Sequence, residues 1–191
     1  YLNNYLISKE NIFYKDEEII KNVHDKGDYK FAYDVANLKS IDPNMFMCCD
    51  KHRMFIEIKG NNDASYIESM VFNSEGILGQ IINESKFYEV LLLTDISHSL
   101  PIKLESNKFY CNAKGSGRAE YIICDYNPLI WTEVIDKSQA VYTSGLGGVY
   151  PKDIEIGYVS SIINTDSRET RIEIKLLANP LNGNQFGVLN Y

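Results

Sequence analysis

At 191 residues the chain is long enough for one large core or two small ones. A net charge of −7 tells against a nucleic-acid partner, whose phosphates need Lys and Arg, and a Tyr- and Ile-rich composition with 5 Pro tells against a disordered tail. The longest apolar runs, such as Val90-Leu91-Leu92-Leu93, fall far short of the roughly 20 residues a membrane helix needs, so the chain as given reads as soluble, with any signal or anchor removed or never present.

Residues 1–28 carry apolar doublets seven apart, Tyr5-Leu6, Ile12-Phe13 and Ile19-Ile20, separated by charged residues such as Glu10, Lys15 and Glu17. That spacing gathers the doublets on one helix face. It predicts an N-terminal helix that either ends a coiled coil or lies against the domain that follows. Gly27 stops the pattern.

From residue 30 the period becomes two. Phe31, Tyr33 and Val35 alternate with Lys30, Ala32 and Asp34; Met54, Ile56 and Ile58 with Arg53, Glu57 and Lys59; Ile172, Ile174 and Leu176 with Arg171, Glu173 and Lys175. The runs Ile77 to Ile82 and Val90 to Leu93 are more uniformly apolar, as in strands covered on both sides. Turn residues separate these runs at Gly60-Asn61-Asn62-Asp63, Asn73-Ser74-Glu75-Gly76, Gly115-Ser116-Gly117 and Gly145 to Gly148.

Many short strands with regular turns, and no helical period after residue 27, predict a mostly β chain: an N-terminal helix over 1–28, then one small β-barrel over 29–108 and a second over 109–191. Exchange of strands between the halves is left open.

Cys48 and Cys49 are adjacent and would face opposite sides of a strand, where a bridge between them would be strained. Cys111 and Cys124 flank the Gly115-Ser116-Gly117 turn, but a simple hairpin sets Cys111 opposite Tyr121, so free, half-buried thiols are expected. Cys48, Cys49 and His52 could hold a metal only loosely, with no fourth ligand in view; His24 is isolated. No metal and no cofactor are expected. A phosphate loop at Gly145 to Gly148 is set aside, because no Gly-Lys-Ser/Thr follows and no helix is predicted after it.

Asp95, His98, Ser116 and Ser144 in a two-barrel protein invite comparison with trypsin-like serine hydrolases, which need a nucleophile, a base and an orienting carboxylate within reach of one another. Asp95 and His98 lie only three residues apart, and Ser116 lacks the longer Gly-Asp-Ser-Gly-Gly setting of an oxyanion hole. The expectation is therefore barrels of trypsin type without a catalytic triad, and no enzyme.

Four segments carry a family resemblance. Asn73-Ser74-Glu75-Gly76-Ile77-Leu78-Gly79-Gln80-Ile81 precedes Val90-Leu91-Leu92-Leu93-Thr94-Asp95, and Ser99-Leu100-Pro101-Ile102 continues it. Tyr142-Thr143-Ser144-Gly145-Leu146-Gly147-Gly148-Val149-Tyr150-Pro151-Lys152, with Gly157 beyond, is the most specific of the four. Together they resemble the rod shape-determining proteins of the MreC family over roughly residues 54 to 176. Asp153 and Glu155 depart from the family's usual Gly and Pro, and the turn at Gly60 to Ser65 lacks a second glycine.

The resemblance implies the periplasmic part of a single-pass inner-membrane protein, attached only through an N-terminal anchor absent from this chain. It implies a scaffold for cell elongation that maintains rod or helical shape, associates with itself as dimer or filament, and binds and positions or activates the elongation-specific class B penicillin-binding protein, in a complex with MreB and MreD.

Gly145, Gly147 and Gly148 are expected to form a tight loop. Leu146 and Val149 within it either plug a barrel end or form a partner surface. Tyr126, Trp131, Tyr150 and Tyr158 lie in or beside turns, where exposed rings could anchor a partner; Trp131 and Tyr150 are the better placed, with charged and turn residues around them. An open barrel edge could also add a strand from another chain.

Overall fold

The computed structural model describes residues 33–47, 51–59, 65–105, 108–166 and 168–189. The expected N-terminal helix over 1–28, His24, Cys48, Cys49 and the Gly60 to Asp63 turn lie outside the described residues.

Twelve strands make up the described chain: β1 (Tyr33–Ile41), β2 (Arg53–Ile58), β3 (Met70–Asn73), β4 (Gly76–Glu84), β5 (Tyr88–Leu92), β6 (Ser99–Leu104), β7 (Tyr110–Gly115), β8 (Tyr121–Tyr126), β9 (Ala140–Thr143), β10 (Glu155–Asn164), β11 (Thr170–Leu176) and β12 (Gln185–Leu189). A one-turn helix spans Asn44–Met47, and no helix among the described residues is long and apolar enough to cross a membrane. The strands close into two antiparallel barrels, β1-β12-β3-β4-β5-β2 and β10-β11-β8-β7-β6-β9.

The predicted alternation holds where one face of a strand is dry. In β11, Thr170, Ile172, Ile174 and Leu176 are buried while Arg171, Glu173 and Lys175 are half-buried on the other side. β1 differs. Ala36 and Leu38 face the first barrel's interior, whereas Tyr33 turns outward and meets the ring of Phe72 edge-on at 5.9 Å.

Two-sided burial of β4 has a direct cause. Leu78 packs inside the first barrel, and Ile77 packs with Met70, Phe72, Leu93 and Leu189 in a cluster continuous with the second barrel's core. The outer wall of β12-β3-β4 is thus an inter-barrel surface. Ile82, at the end of the apolar run, is exposed.

The topology moves the expected domain boundary. β6 already belongs to the second barrel, so the chain crosses over at residues 93–98 rather than near 108; β12 then returns to the first barrel between β1 and β3. The return crossing is gripped by the Asn73-Ser74-Glu75-Gly76 turn. The Asn179 amide donates to Glu75 Oε2 at 3.0 Å, Asn182 Nδ2 to Glu75 Oε1 at 2.7 Å, and Asn73 Nδ2 to the Asn179 carbonyl at 3.0 Å. Because both barrels are closed, neither offers the open edge considered as a route to strand addition.

The cysteine expectation is corrected: Cys111 and Cys124 are joined by a disulfide, with Cα atoms 6.3 Å apart. The β7–β8 register is Lys114↔Ile123 and Gly115↔Ile122, because the connection continues past Gly117 to Glu120 before β8 begins. That register sets Cys124 across from Ala113, two residues from Cys111 on the same side of β7. The pair bridges diagonally, which a tight-hairpin register cannot show.

Candidate partner surfaces and the inter-barrel polar cluster

The Gly145 to Lys152 loop follows β9 and is tied down by its own hydroxyls. Thr143 Oγ1 donates to the Pro151 carbonyl at 2.6 Å and accepts from the Ile154 amide at 2.9 Å. Ser144 gives both its amide, at 3.0 Å, and its hydroxyl, at 2.9 Å, to the carbonyl of Pro101 on β6. Gly145, Gly147 and Gly148 have φ of +75°, +83° and +71°, values that side chains other than glycine's adopt at a cost.

The loop divides its apolar residues. Leu146 is 58% exposed, Val149 packs on the core, and Tyr150 is 3% exposed. The sequence setting of Tyr150, among turn and charged residues, pointed to an exposed ring. The fold instead buries it, because its hydroxyl finds a partner 2.8 Å away at Nε2 of His98.

His98 belongs to a buried polar cluster at the first crossing between barrels. Asp95 is buried there, and its carboxylate accepts the His52 amide at 2.7 Å, the Ser97 amide at 2.8 Å and the Ser97 hydroxyl at 2.5 Å, besides pairing with Arg53 Nη1. Burial alone would raise the Asp95 pKa, but the Ser97 and His52 hydrogen bonds and the Arg53 charge outweigh it and hold the carboxyl below its ordinary value. His52, also buried, places Nδ1 2.7 Å from Thr94 Oγ1. Burial holds His98 down at about 4, with Asp95 opposing and Arg53 adding to the shift, so its imidazole is neutral at pH 7.

This arrangement does not assemble a hydrolase. The hydroxyl of Ser116 donates to the Tyr121 carbonyl at 2.6 Å and that of Ser144 to the Pro101 carbonyl, while His98 Nε2 faces Tyr150. No group of three or more His, Cys, Asp or Glu suited to a metal ion occurs among the described residues.

At the other end of the second barrel, Tyr126 and Trp131 flank buried Phe109, with ring centroids 5.0 and 5.6 Å from it, both edge-on. Sequence reasoning passed over their neighbours. Leu129, Ile130 and Val134 are 70%, 72% and 83% exposed on the β8–β9 loop. The signal was present as aliphatic residues without strand period among Asn127, Pro128 and Glu133. Tyr158 stands apart on β10, opposite Ala140 and Lys175, at 36% exposure. The six candidate contact residues therefore do not form one surface.

The family model described as rod shape-determining protein MreC, barrel core, matches residues 50–190. This chain belongs to the MreC family. A cell shape-determining protein MreC from Haemophilus influenzae is 32% identical over 123 residues, which cover 63% of this chain and 33% of that protein. The chain thus spans about a third of the length of that curated relative. A crystal structure of MreC from Pseudomonas aeruginosa superposes with a TM-score of 0.69 at 25% identity, covering 85% of this chain and 100% of that one. A chain from the complex between Penicillin-Binding Protein (PBP2) and MreC of Helicobacter pylori shares the fold, with a TM-score of 0.56 at 18% identity over 83% of this chain and 98% of that one. The MreC-type Thr143 to Lys152 segment is, in this chain, the clamped loop that brings Tyr150 to His98.

Proposed function

We propose that this chain is the periplasmic, non-catalytic scaffold portion of a cell-elongation complex, and that it binds and positions or activates an elongation-specific class B penicillin-binding protein. The observation that carries this reading is the shared two-barrel fold of a protein found in complex with a penicillin-binding protein. The Cys111–Cys124 disulfide supports an oxidising compartment such as the periplasm. Self-association, and membership of a complex with MreB and MreD, belong to the same reading.

Two large walls are already used within the molecule, one against the other barrel and one as barrel interior, so a partner must meet loops or outer faces. Trp131, Tyr126, Leu146 and Tyr158 retain surface there; Val149 contributes mainly to packing, and Tyr150 acts from inside. Calorimetric titration against the soluble extracytoplasmic part of the cognate class B penicillin-binding protein tests the reading. Saturable binding is expected. A folded chain that produces no heat and no complex on gel filtration overturns it. Sedimentation across a wide concentration range tests self-association separately, and a strictly monomeric chain removes that part.

A further inference from the structure

We propose that the Cys111–Cys124 bridge is installed by a disulfide-donating oxidoreductase with a Cys-x-x-Cys site, which engages Cys111 first, and that the bridge then locks the mouth of the second barrel beneath Tyr126 and Trp131. This inference does not depend on which protein the chain binds.

The bridge crosses the weakest seam of its barrel. The β7–β8 ladder has two pairs, whereas each of the other five seams has three or more. It stops at Lys114↔Ile123, so from Ala113 back to Tyr110 strand β7 has no ladder pairing with β8. The disulfide spans that stretch, with Cα atoms 6.3 Å apart. One step nearer the mouth, Phe109 packs edge-on against both Tyr126 and Trp131, which stay half-buried there. Oxidation therefore fixes the footing of the two rings that keep surface at this end.

The two sulfurs are not equivalent. Cys111 is partly buried near the start of β7, while Cys124 is 1% exposed. Cys124 stands across from Ala113 on one side and Ile172 on the other. Asp125 and Arg171, the neighbouring residues on β8 and β11, pair with each other at 2.6 and 2.8 Å. A thiol attacks as its thiolate, a form that apolar surroundings disfavour. Cys111 is thus the group that a donor protein reaches, and Cys124 closes the ring from within, its nearness to Cys111 offsetting its enclosure.

In the first step the Cys111 thiolate attacks one sulfur of the donor's disulfide, forming a Cys111–donor bond and releasing the donor's other cysteine as a thiolate. Cys124 then gives up its proton to that thiolate and attacks the Cys111 sulfur. The Cys111–Cys124 bond forms, and the donor's remaining cysteine leaves as a thiolate and takes up the proton that Cys111 gave up. The chain's two thiols are oxidised, and the donor's disulfide is reduced to two thiols. Reversal by attack at Cys111 would expel Cys124 as a thiolate among apolar side chains, so the bridge in the folded chain resists reduction.

Every chain in the test carries Cys48→Ser and Cys49→Ser, so that only the bridge cysteines react. Reduced Cys124→Ser and Cys111→Ser chains are mixed with a thioredoxin-type donor whose second cysteine is Ser and whose first carries a chromogenic thiol, and separately with oxidised glutathione. Colour release and mass spectrometry give the rates. In native buffer Cys111 is expected to react on the order of tenfold or more faster than Cys124 with both probes, and in urea, where burial is gone, at an equal rate. Equal native rates, or a faster Cys124, overturn the order of attack. Reaction with glutathione alone overturns the protein donor. Hydrogen exchange of the oxidised and reduced two-cysteine chain reads the lock. Reduction is expected to speed exchange at residues 110–113 and 124–131 and to leave the first barrel protected, whereas unchanged exchange at the mouth, or loss of protection throughout, overturns it.

Discussion

The hydroxyl of Tyr150 and Nε2 of His98 lie 2.8 Å apart, across 52 residues of sequence, and neither side chain reaches solvent to any extent. One comes from the glycine loop after β9 and the other from the first crossing between barrels. The contact therefore fastens the MreC-type loop to the joint. Replacing Tyr150 by Phe keeps the ring and leaves a buried imidazole nitrogen without this partner, at a cost of about 1–3 kcal/mol. Urea denaturation of the Tyr150→Phe chain is expected to show that loss with an unchanged m-value, and an unchanged midpoint would show that the hydrogen bond contributes nothing.

The same histidine makes stability depend on pH. Burial holds His98 down at about 4 in the folded chain, against about 6.5 when unfolded. Between those values the unfolded chain binds a proton that the folded one refuses. Stability is complete above about pH 6.5 and falls as pH drops toward 4, by up to about 3 kcal/mol. Denaturation curves at pH 7 and pH 4.5 measure this, and a His98→Gln chain is expected to lose less over that interval. Asp95, held low, titrates below this window and does not obscure it.

Arg53 is the cationic partner of the buried Asp95 carboxylate and also reaches Glu89 Oε1 at 3.1 Å. Arg53→Met leaves Asp95 charged without that partner and is expected to cost about 3–5 kcal/mol. Asp95→Asn in the same chain should recover part of it, since the buried charge is then gone. A double-mutant cycle in thermal denaturation reads the coupling; additive losses would show that the two residues stabilise the joint independently.

The Cys111–Cys124 disulfide closes a seam whose ladder is only two pairs long, at Lys114 and Gly115. With a sequence separation of 13, the loop-entropy estimate gives about 3 kcal/mol. Cys111→Ala is expected to lower the melting temperature and to make it insensitive to dithiothreitol, whereas wild type falls on reduction. Equal melting of reduced and oxidised wild type would remove the bridge from the account of stability.

Two glycines separate close approach from backbone conformation. A Cβ on Gly115 would run into the backbone of Thr94 and Asp95, so Gly115→Ala must push the crossing away and should cost about 3 kcal/mol or more. Gly148 has open space around its Cβ position but φ +71°, so Gly148→Ala should cost only about 1 kcal/mol. Melting temperatures of the two variants in one buffer give the ranking, and the reverse order would refute it.

Much of the molecule was legible in the residues themselves. Period-two patterns in Met54-Ile56-Ile58 and Ile172-Ile174-Leu176 marked strands, because side chains on a pleated strand alternate faces whatever they pair with. The apolar run around Ile77 and Leu78 announced burial on two sides, and the Thr143 to Lys152 segment identified the family. What the residues could not show depends on partners distant in sequence. β12 lies between β1 and β3 through hydrogen bonds to residues more than a hundred positions away, and the Cys111–Cys124 bridge depends on a register set by the length of the Gly115 to Glu120 connection. Tyr150 looked like a surface ring and is a core one, while Leu129, Ile130 and Val134 looked unremarkable and protrude. Local sequence determines which face of an element is apolar; which apolar face is covered is decided only when the two barrels close and pack.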